Sequence, residues 1–246
     1  MRSFSLLIAF GVLSGLLLVG WRAPKKETIR YLDAGLIALI GALVCSRALA
    51  VGVNFTYYRL HPTEIYQVWL GGLSSIGALV GGSLVVLLIS IWWKIPVGLL
   101  SDTLFPLAGA ISIAAWLGCG LDRCSYGLPS TAWWALPSRD AWGILTDRVP
   151  VQLLGALLSL GVVWSLERLR MTSTVTGMNA SLGLLGITTI IFALSYLRAD
   201  PAFIWNGLRL DAWGALTLMI LWGIIVVVLL ARWRSMKLSN SHKKIV

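Results

Sequence analysis

The chain has 246 residues, of which 58% are hydrophobic and only 12% charged, whereas a soluble domain carries about 25% charged residues. That composition excludes an ordinary water-soluble fold and makes lipid the solvent for most of the surface. The formal charge of +10 would suit nucleic acid if the basic residues formed one stripe, but they are scattered between apolar stretches, and topology accounts for them better.

A helix crosses the hydrocarbon core when about 20 largely apolar residues supply about 30 Å, with every backbone donor bonded internally. Seven windows qualify: 3–21, 34–53, 68–92, 99–117, 151–166, 180–197 and 212–230. They predict an all-α, polytopic membrane protein of about seven transmembrane helices, with residues 1–246 forming one integral membrane domain. The first window reads as a retained helix. Its apolar stretch is longer than a signal-peptide core, and no small-x-small cleavage site precedes Arg22-Ala23-Pro24. The third window is long enough to tilt or to begin with a loop, and the fifth is the shortest.

With the N-terminus outside, the inner connections hold Arg22, Lys25, Lys26, Arg30, Lys94, Arg168, Arg170, Arg232, Arg234, Lys237, Lys243 and Lys244. The outer side then holds Arg2, Arg59, Arg123, Arg139, Arg148, Arg198 and Arg209. The bias predicts N-out, C-in, with a cytoplasmic tail over 231–246. Trp21, Trp69, Trp92, Trp93, Trp116, Trp213 and Trp233 stand near the ends of the windows, where amphipathic rings anchor in the headgroup layer.

Between the second and third windows, residues 54–69 alternate aromatic and polar side chains and read as a short interfacial segment. The third window opens on Gly71 and Gly72, and a glycine pair at a helix mouth exposes backbone N–H groups that suit an anion. Gly77 and Gly81 share one helical face and let a neighbouring backbone approach closely. The longest connection, the outer-face loop 119–149, carries Trp133, Trp134, Trp142, Pro129 and Pro137, and at that length it is expected to be functional. A second outer connection carries Arg198, Asp200, Arg209 and Asp211. Cys45 lies inside a helix, while Cys119 and Cys124 fall on the outer side, where an oxidising environment would permit a bridge. With only His61 and His242 in the chain, no metal site is expected, and no cofactor is called for.

An ordered set of motifs is similar to the prolipoprotein diacylglyceryl transferase family over roughly residues 40 to 215. It runs through Ser46-Arg47-Ala48-Leu49, His61-Pro62-x-Glu64, and Trp69-x-Gly71-Gly72-Leu73-Ser74-x-x-Gly77-x-Leu79-x-Gly81. It continues with Ser101-Asp102-x-x-x-Pro106, Gly118-Cys119, Cys124-Ser125-Tyr126-Gly127-x-Pro129, Pro150-x-Gln152-Leu153, and Arg198 with Gly207-Leu208. The resemblance implies an enzyme of the bacterial inner (plasma) membrane that joins the diacylglyceryl group of phosphatidylglycerol to a prolipoprotein cysteine. The precursor thiol displaces glycerol phosphate and leaves a thioether. The chain departs from the family where ionisable groups are expected. Ile76 replaces a histidine, Trp116 and Cys119 an arginine and an asparagine, and Val149 another histidine; Cys124, Ile191 and Ser195 fall near a glutamate, an arginine and a second glutamate.

Such chemistry needs donors at the phosphate and help in forming a thiolate. Arg47 lies inside a span, where an uncompensated charge costs about 2.5–3.5 kcal/mol, and its planar fork suits phosphate. The structural alternative is that it snorkels outward or pairs with a neighbouring carbonyl. Arg47, Gly71, Gly72, Gly77, Arg148 and Arg198 are the expected lining of a site for phosphatidylglycerol or another anionic phospholipid. Asp102 reads as a cap on the fourth span, and Gln152 as an interhelical hydrogen bond. No catalytic base is assigned: His61, Tyr57, Tyr58 and Tyr126 would each need a special environment. Three other readings stand beside the transferase: a noncatalytic member that binds anionic phospholipid, a small-solute permease lacking the paired broken helices of transporters, and a seven-helix protein of another role.

Overall fold

The computed structural model describes residues 2–170 and 175–242. Seven helices are long and apolar enough to cross a membrane: α1 (Arg2–Arg22), α2 (Thr28–Val53), α4 (Ser75–Trp93), α5 (Val97–Asp122), α6 (Val151–Arg170), α7 (Met178–Ser195) and α8 (Leu210–His242). A short helix, α3 (Phe55–Leu60), and two 3-10 turns, Pro62–Tyr66 and Val68–Leu70, join α2 to α4. The third window therefore does begin with a loop, and its helix starts only where Ser74 accepts the Gly77 N–H at 3.2 Å.

Boundaries move for physical reasons. Helix α2 starts at Thr28, six residues before the apolar window, because Arg30 and Asp33 are exposed on its first turns and need no lipid. Helix α8 continues to His242, so the segment from 231 is helical as far as the described residues reach. Of the basic residues assigned to a side, Lys243 and Lys244 lie outside the described residues, as do the side chains of Arg2, Arg170 and Lys237.

Helices α5 and α7 are the most buried, with α1 and α6 against α5, α8 against α7, and α2 against α4. Glycine sets these approaches. A Cβ on Gly77 would stand 2.5 Å from the Cys45 carbonyl oxygen and 2.8 Å from Ser46 Cα, so the α2–α4 contact is backbone against backbone. Trp116 departs from the interfacial reading. It is buried, and its ring occupies the space left by the missing side chain of Gly155 on α6.

At the end of the bundle holding the α1–α2 connection, Pro106 explains a knot of polar contacts. Having no N–H, it leaves the Asp102 carbonyl four residues earlier without its helical donor. Arg22 Nη1 donates to that carbonyl at 3.0 Å and pairs through Nη2 with Glu167. The Asp102 carboxylate accepts the N–H groups of Gly177 (2.6 Å) and Ala180 (2.8 Å). Asp102 therefore caps α7 from a neighbouring helix and not its own helix, a correction to the expected cap, and Asp102 and Arg22 together tie α1, α5, α6 and α7.

The opposite end carries two small hairpins. Strands β1 (Leu136–Arg139) and β2 (Leu145–Arg148) pair antiparallel, with Leu136 opposite Arg148 and Arg139 opposite Leu145. Strands β3 (Ile204–Trp205) and β4 (Leu208–Arg209) form the second, closed by Asn206 and Gly207 at positive φ.

Candidate functional site

Arg47 is 6% exposed, and a carbonyl cage surrounds its guanidinium. Nε donates to Ile65 O at 2.9 Å, and Nη1 to Gly71 O at 2.6 Å and Gly72 O at 2.9 Å; Nη2 donates to Glu64 O and, at 3.5 Å, to Gln67 O. Gly71 and Gly72 have φ of 86° and 68°, backbone that L side chains rarely adopt, and this turns both carbonyls toward the cation. The Tyr58 ring closes the cage, its centroid 5.0 Å from the guanidinium carbon. Ser46 reinforces it, exchanging Oγ–H to Ser74 O (2.8 Å) and accepting from Ser74 N–H (3.2 Å). Arg47 thus orders residues 64–72 through their carbonyls, the structural alternative raised above, while Gly77 faces α2 as a packing residue.

On the rim of this cage, Tyr57 Oη donates to Glu64 Oε2 at 2.9 Å, which raises the phenol above its ordinary range. His61 stacks on Tyr57 at 4.5 Å with Nδ1 3.1 Å from the Tyr57 carbonyl, so the two aromatic candidates brace one another.

Arg148 and Arg198 come together elsewhere, in the crown of loops above α5, α6 and α7. Arg148 is 6% exposed; its Nη2 pairs with Asp140 Oδ2 at 3.1 Å and its Nη1 donates to Gly127 O at 3.3 Å. Asp140 also closes the β1–β2 turn, accepting Trp142 N–H at 3.0 Å and Ile144 N–H at 2.9 Å on Oδ1. Gly127 bridges antiparallel to Arg198, linking the two arginines through one strand of backbone.

Arg198 and Arg209 form a closed square with Asp200 and Asp211, with four contacts of 2.6 to 3.2 Å. Burial would raise the Asp200 carboxyl, but hydrogen bonds and charge from Arg198 and Arg209 outweigh it and hold it below the usual carboxylate range. Burial likewise works against the Arg198 cation, and its two aspartates more than compensate, raising it. A cavity of about 450 Å³ beside the square is lined by Arg198, Asp200, Ile204, Gly207 and Arg209, among others. Cys119 and Cys124 form a disulfide with Cα atoms 4.6 Å apart, and the buried Gln152 donates to Cys124 O at 3.1 Å.

Ile76, Trp116, Val149 and Ile191, four positions where the resemblance sets ionisable residues, all fall in one buried apolar cluster with Val151, Ile187 and Leu194. Ser195 is buried and turns its hydroxyl back to Phe192 O at 2.6 Å. The centre beneath the crown is therefore hydrocarbon, and the charged groups stand around its upper edge. Asp140 is the site residue that motif reading passed over. Asp140 did carry a signal, an aspartate three residues before Gly143 in a turn between two short runs.

The chain is 35% identical over 117 residues to a phosphatidylglycerol–prolipoprotein diacylglyceryl transferase of Limosilactobacillus reuteri, an alignment covering 46% of this chain and 42% of that protein. A Trichormus variabilis protein of the same name is 30% identical over 138 residues, covering 55% and 49%. The chain thus spans under half the length of these relatives, whereas with the Streptococcus mutans protein of that name it aligns over 239 residues at 28% identity, covering 94% of this chain and 91% of the other. The sequence pattern of the prolipoprotein diacylglyceryl transferases matches residues 1–237. Across nearly its whole length, then, this seven-helix membrane protein belongs to the prolipoprotein diacylglyceryl transferase family.

Proposed function

We propose that the chain transfers a diacylglyceryl group from phosphatidylglycerol to the lipobox cysteine of prolipoproteins, in a bacterial inner membrane, as a single membrane domain with its N-terminus outside and C-terminus inside. The observation that carries this is the family match over residues 1–237 on a bundle of seven spanning helices. The step forms a bond between the cysteine sulfur and a glycerol carbon as the bond from that carbon to the phosphate oxygen breaks. Glycerol phosphate leaves with the electron pair, and the thiol proton is lost.

The proposed headgroup site is framed by Arg47, Gly71 and Gly72 on the α2–α4 side, where Gly77 packs α4 against α2, and by Arg148 and Arg198 in the crown. Because these guanidinium groups already hold carbonyls or carboxylates, they act mainly by shaping backbone around the lipid. Preorganised loops of this kind lower the cost of binding. Arg47→Ala is expected to abolish transfer, because it releases the carbonyls it holds between residues 64 and 72.

One observation favours a second reading: the apolar cluster of Ile76, Trp116, Val149 and Ile191 holds no group able to take a thiol proton. In that reading the protein binds the anionic phospholipid without transferring it. Purified protein given labelled phosphatidylglycerol and a lipobox peptide decides between them. Label on the cysteine peptide, and none on its cysteine-to-serine control, supports transfer. Lipid binding with no label on either peptide supports the noncatalytic reading.

A further inference from the structure

The crown contains two buried hydrogen-bond donors with no acceptor. Tyr126 is 2% exposed, and its Oη has no hydrogen-bond partner among the described residues; the same holds for Nε of Arg148. The two side chains are in contact, with the guanidinium carbon 5.0 Å from the centroid of the Tyr126 ring. A buried hydroxyl or guanidinium N–H left unmatched is costly, and native proteins match the large majority of such groups.

The surrounding backbone holds this pair firmly. Ala199 N–H donates to Tyr126 O at 2.8 Å, Leu128 N–H to Leu197 O at 2.9 Å, and Val149 N–H to Leu128 O at 2.9 Å. Gly127 lies so close to the Val149 carbonyl that no side chain would fit between them. Tyr126 follows the end of α5 at Asp122, and Arg148 precedes the start of α6 at Val151. Both therefore stand at the level where spanning helices leave the hydrocarbon, about 15 Å from the bilayer centre, which is also the level of glycerol ester groups. Arg198, which bridges to Gly127 next to Tyr126, lines the 450 Å³ cavity, and Val149, next to Arg148, belongs to the apolar cluster with Val151 and Leu194.

Charge decides which acceptor fits. Asp140 already neutralises Arg148 at 3.1 Å, so the open Nε–H and O–H are complementary to a neutral oxygen more than to a phosphate. We propose that Tyr126 Oη and Arg148 Nε receive the acyl-ester carbonyl oxygens of a diacyl glycerolipid, so that this pair selects ester-linked lipid. The proposal deepens the phospholipid reading above and rests on it, but it requires no transfer.

The test measures binding of diacyl phosphatidylglycerol and of its dialkyl ether analogue, which lacks the carbonyls, to the purified full chain. Wild type is expected to bind the diacyl lipid about three- to tenfold more tightly, the scale of one or two net hydrogen bonds. Tyr126→Phe, which keeps the ring over Arg148 and leaves its Nε–H, is expected to narrow the preference by weakening diacyl binding toward the level of the ether and leave ether binding unchanged. Equal binding of the two lipids by wild type overturns the proposal while the headgroup reading stands, and so does an equal loss for both lipids in the variant. Binding of neither lipid overturns both readings. The wild-type comparison alone decides the matter if the variant does not fold.

Discussion

Arg148 and Asp140 illustrate how much a single buried pair controls in this protein. The aspartate neutralises the arginine, and its Oδ1 also accepts two of the N–H groups that close the β1–β2 turn. Removing one member of a buried pair leaves the other charge uncompensated, at a cost of about 3–5 kcal/mol. Asp140→Ala is therefore expected to destabilise the protein by about that amount, read as a lowered midpoint of thermal or denaturant unfolding in detergent. Asp200 gives a pH dependence. Its carboxyl is held below the usual range by Arg198 and Arg209, so it contributes stability that is present above the unfolded value near 3.8 and is lost as pH falls through the depressed folded value. The crown is expected to loosen below about pH 4, seen as faster amide exchange over residues 198–211, and Asp200→Asn should remove that acid sensitivity. Arg47 was legible from sequence as a residue that needs partners, since a charge inside a span demands them. Its partners were not legible, because they are backbone carbonyls, and any residue types at 64, 65 and 67 would supply them.

At the scale of elements, apolar length and small residues carried most of the information. The seven spans and a close backbone approach at Gly77 and Gly81 follow from the residues themselves, whereas the structure names α2 as the neighbour and opens the third span with a loop. Gly77→Ala would push a methyl group against the Cys45 carbonyl and is expected to cost about 1–3 kcal/mol. Gly52→Ala on the same pair of helices meets nothing within 4 Å and should leave the unfolding midpoint in place; equal effects of the two would refute the packing assignment. The hairpins of the crown escaped the sequence reading because strands of two or four residues are too short to show an alternating pattern. The trans-cap of α7 escaped it for another reason. Asp102 and Gly177 are 75 positions apart, and only the packing of α5 on α7 brings them together.

At the scale of the molecule, charge and hydrocarbon are separated by height. One end is tied by Arg22, Glu167 and Asp102, and the other by the Arg47 cage and the crown, with an apolar centre of Ile76, Trp116, Val149 and Ile191 between them. Burial of these four positions was not readable from their separate places in the chain, although each substitution was visible. Together they mean that a transfer reaction here must draw its proton acceptor from the rim or from the substrate. The most direct measurement counts both products at once, the thioether on a lipobox peptide by mass and glycerol phosphate in solution, from purified protein and phosphatidylglycerol. One glycerol phosphate released for each diacylglyceryl thioether formed is expected, both lost in the cysteine-to-serine peptide; lipid bound with neither product formed, or glycerol phosphate released without thioether, would contradict transfer by this chain.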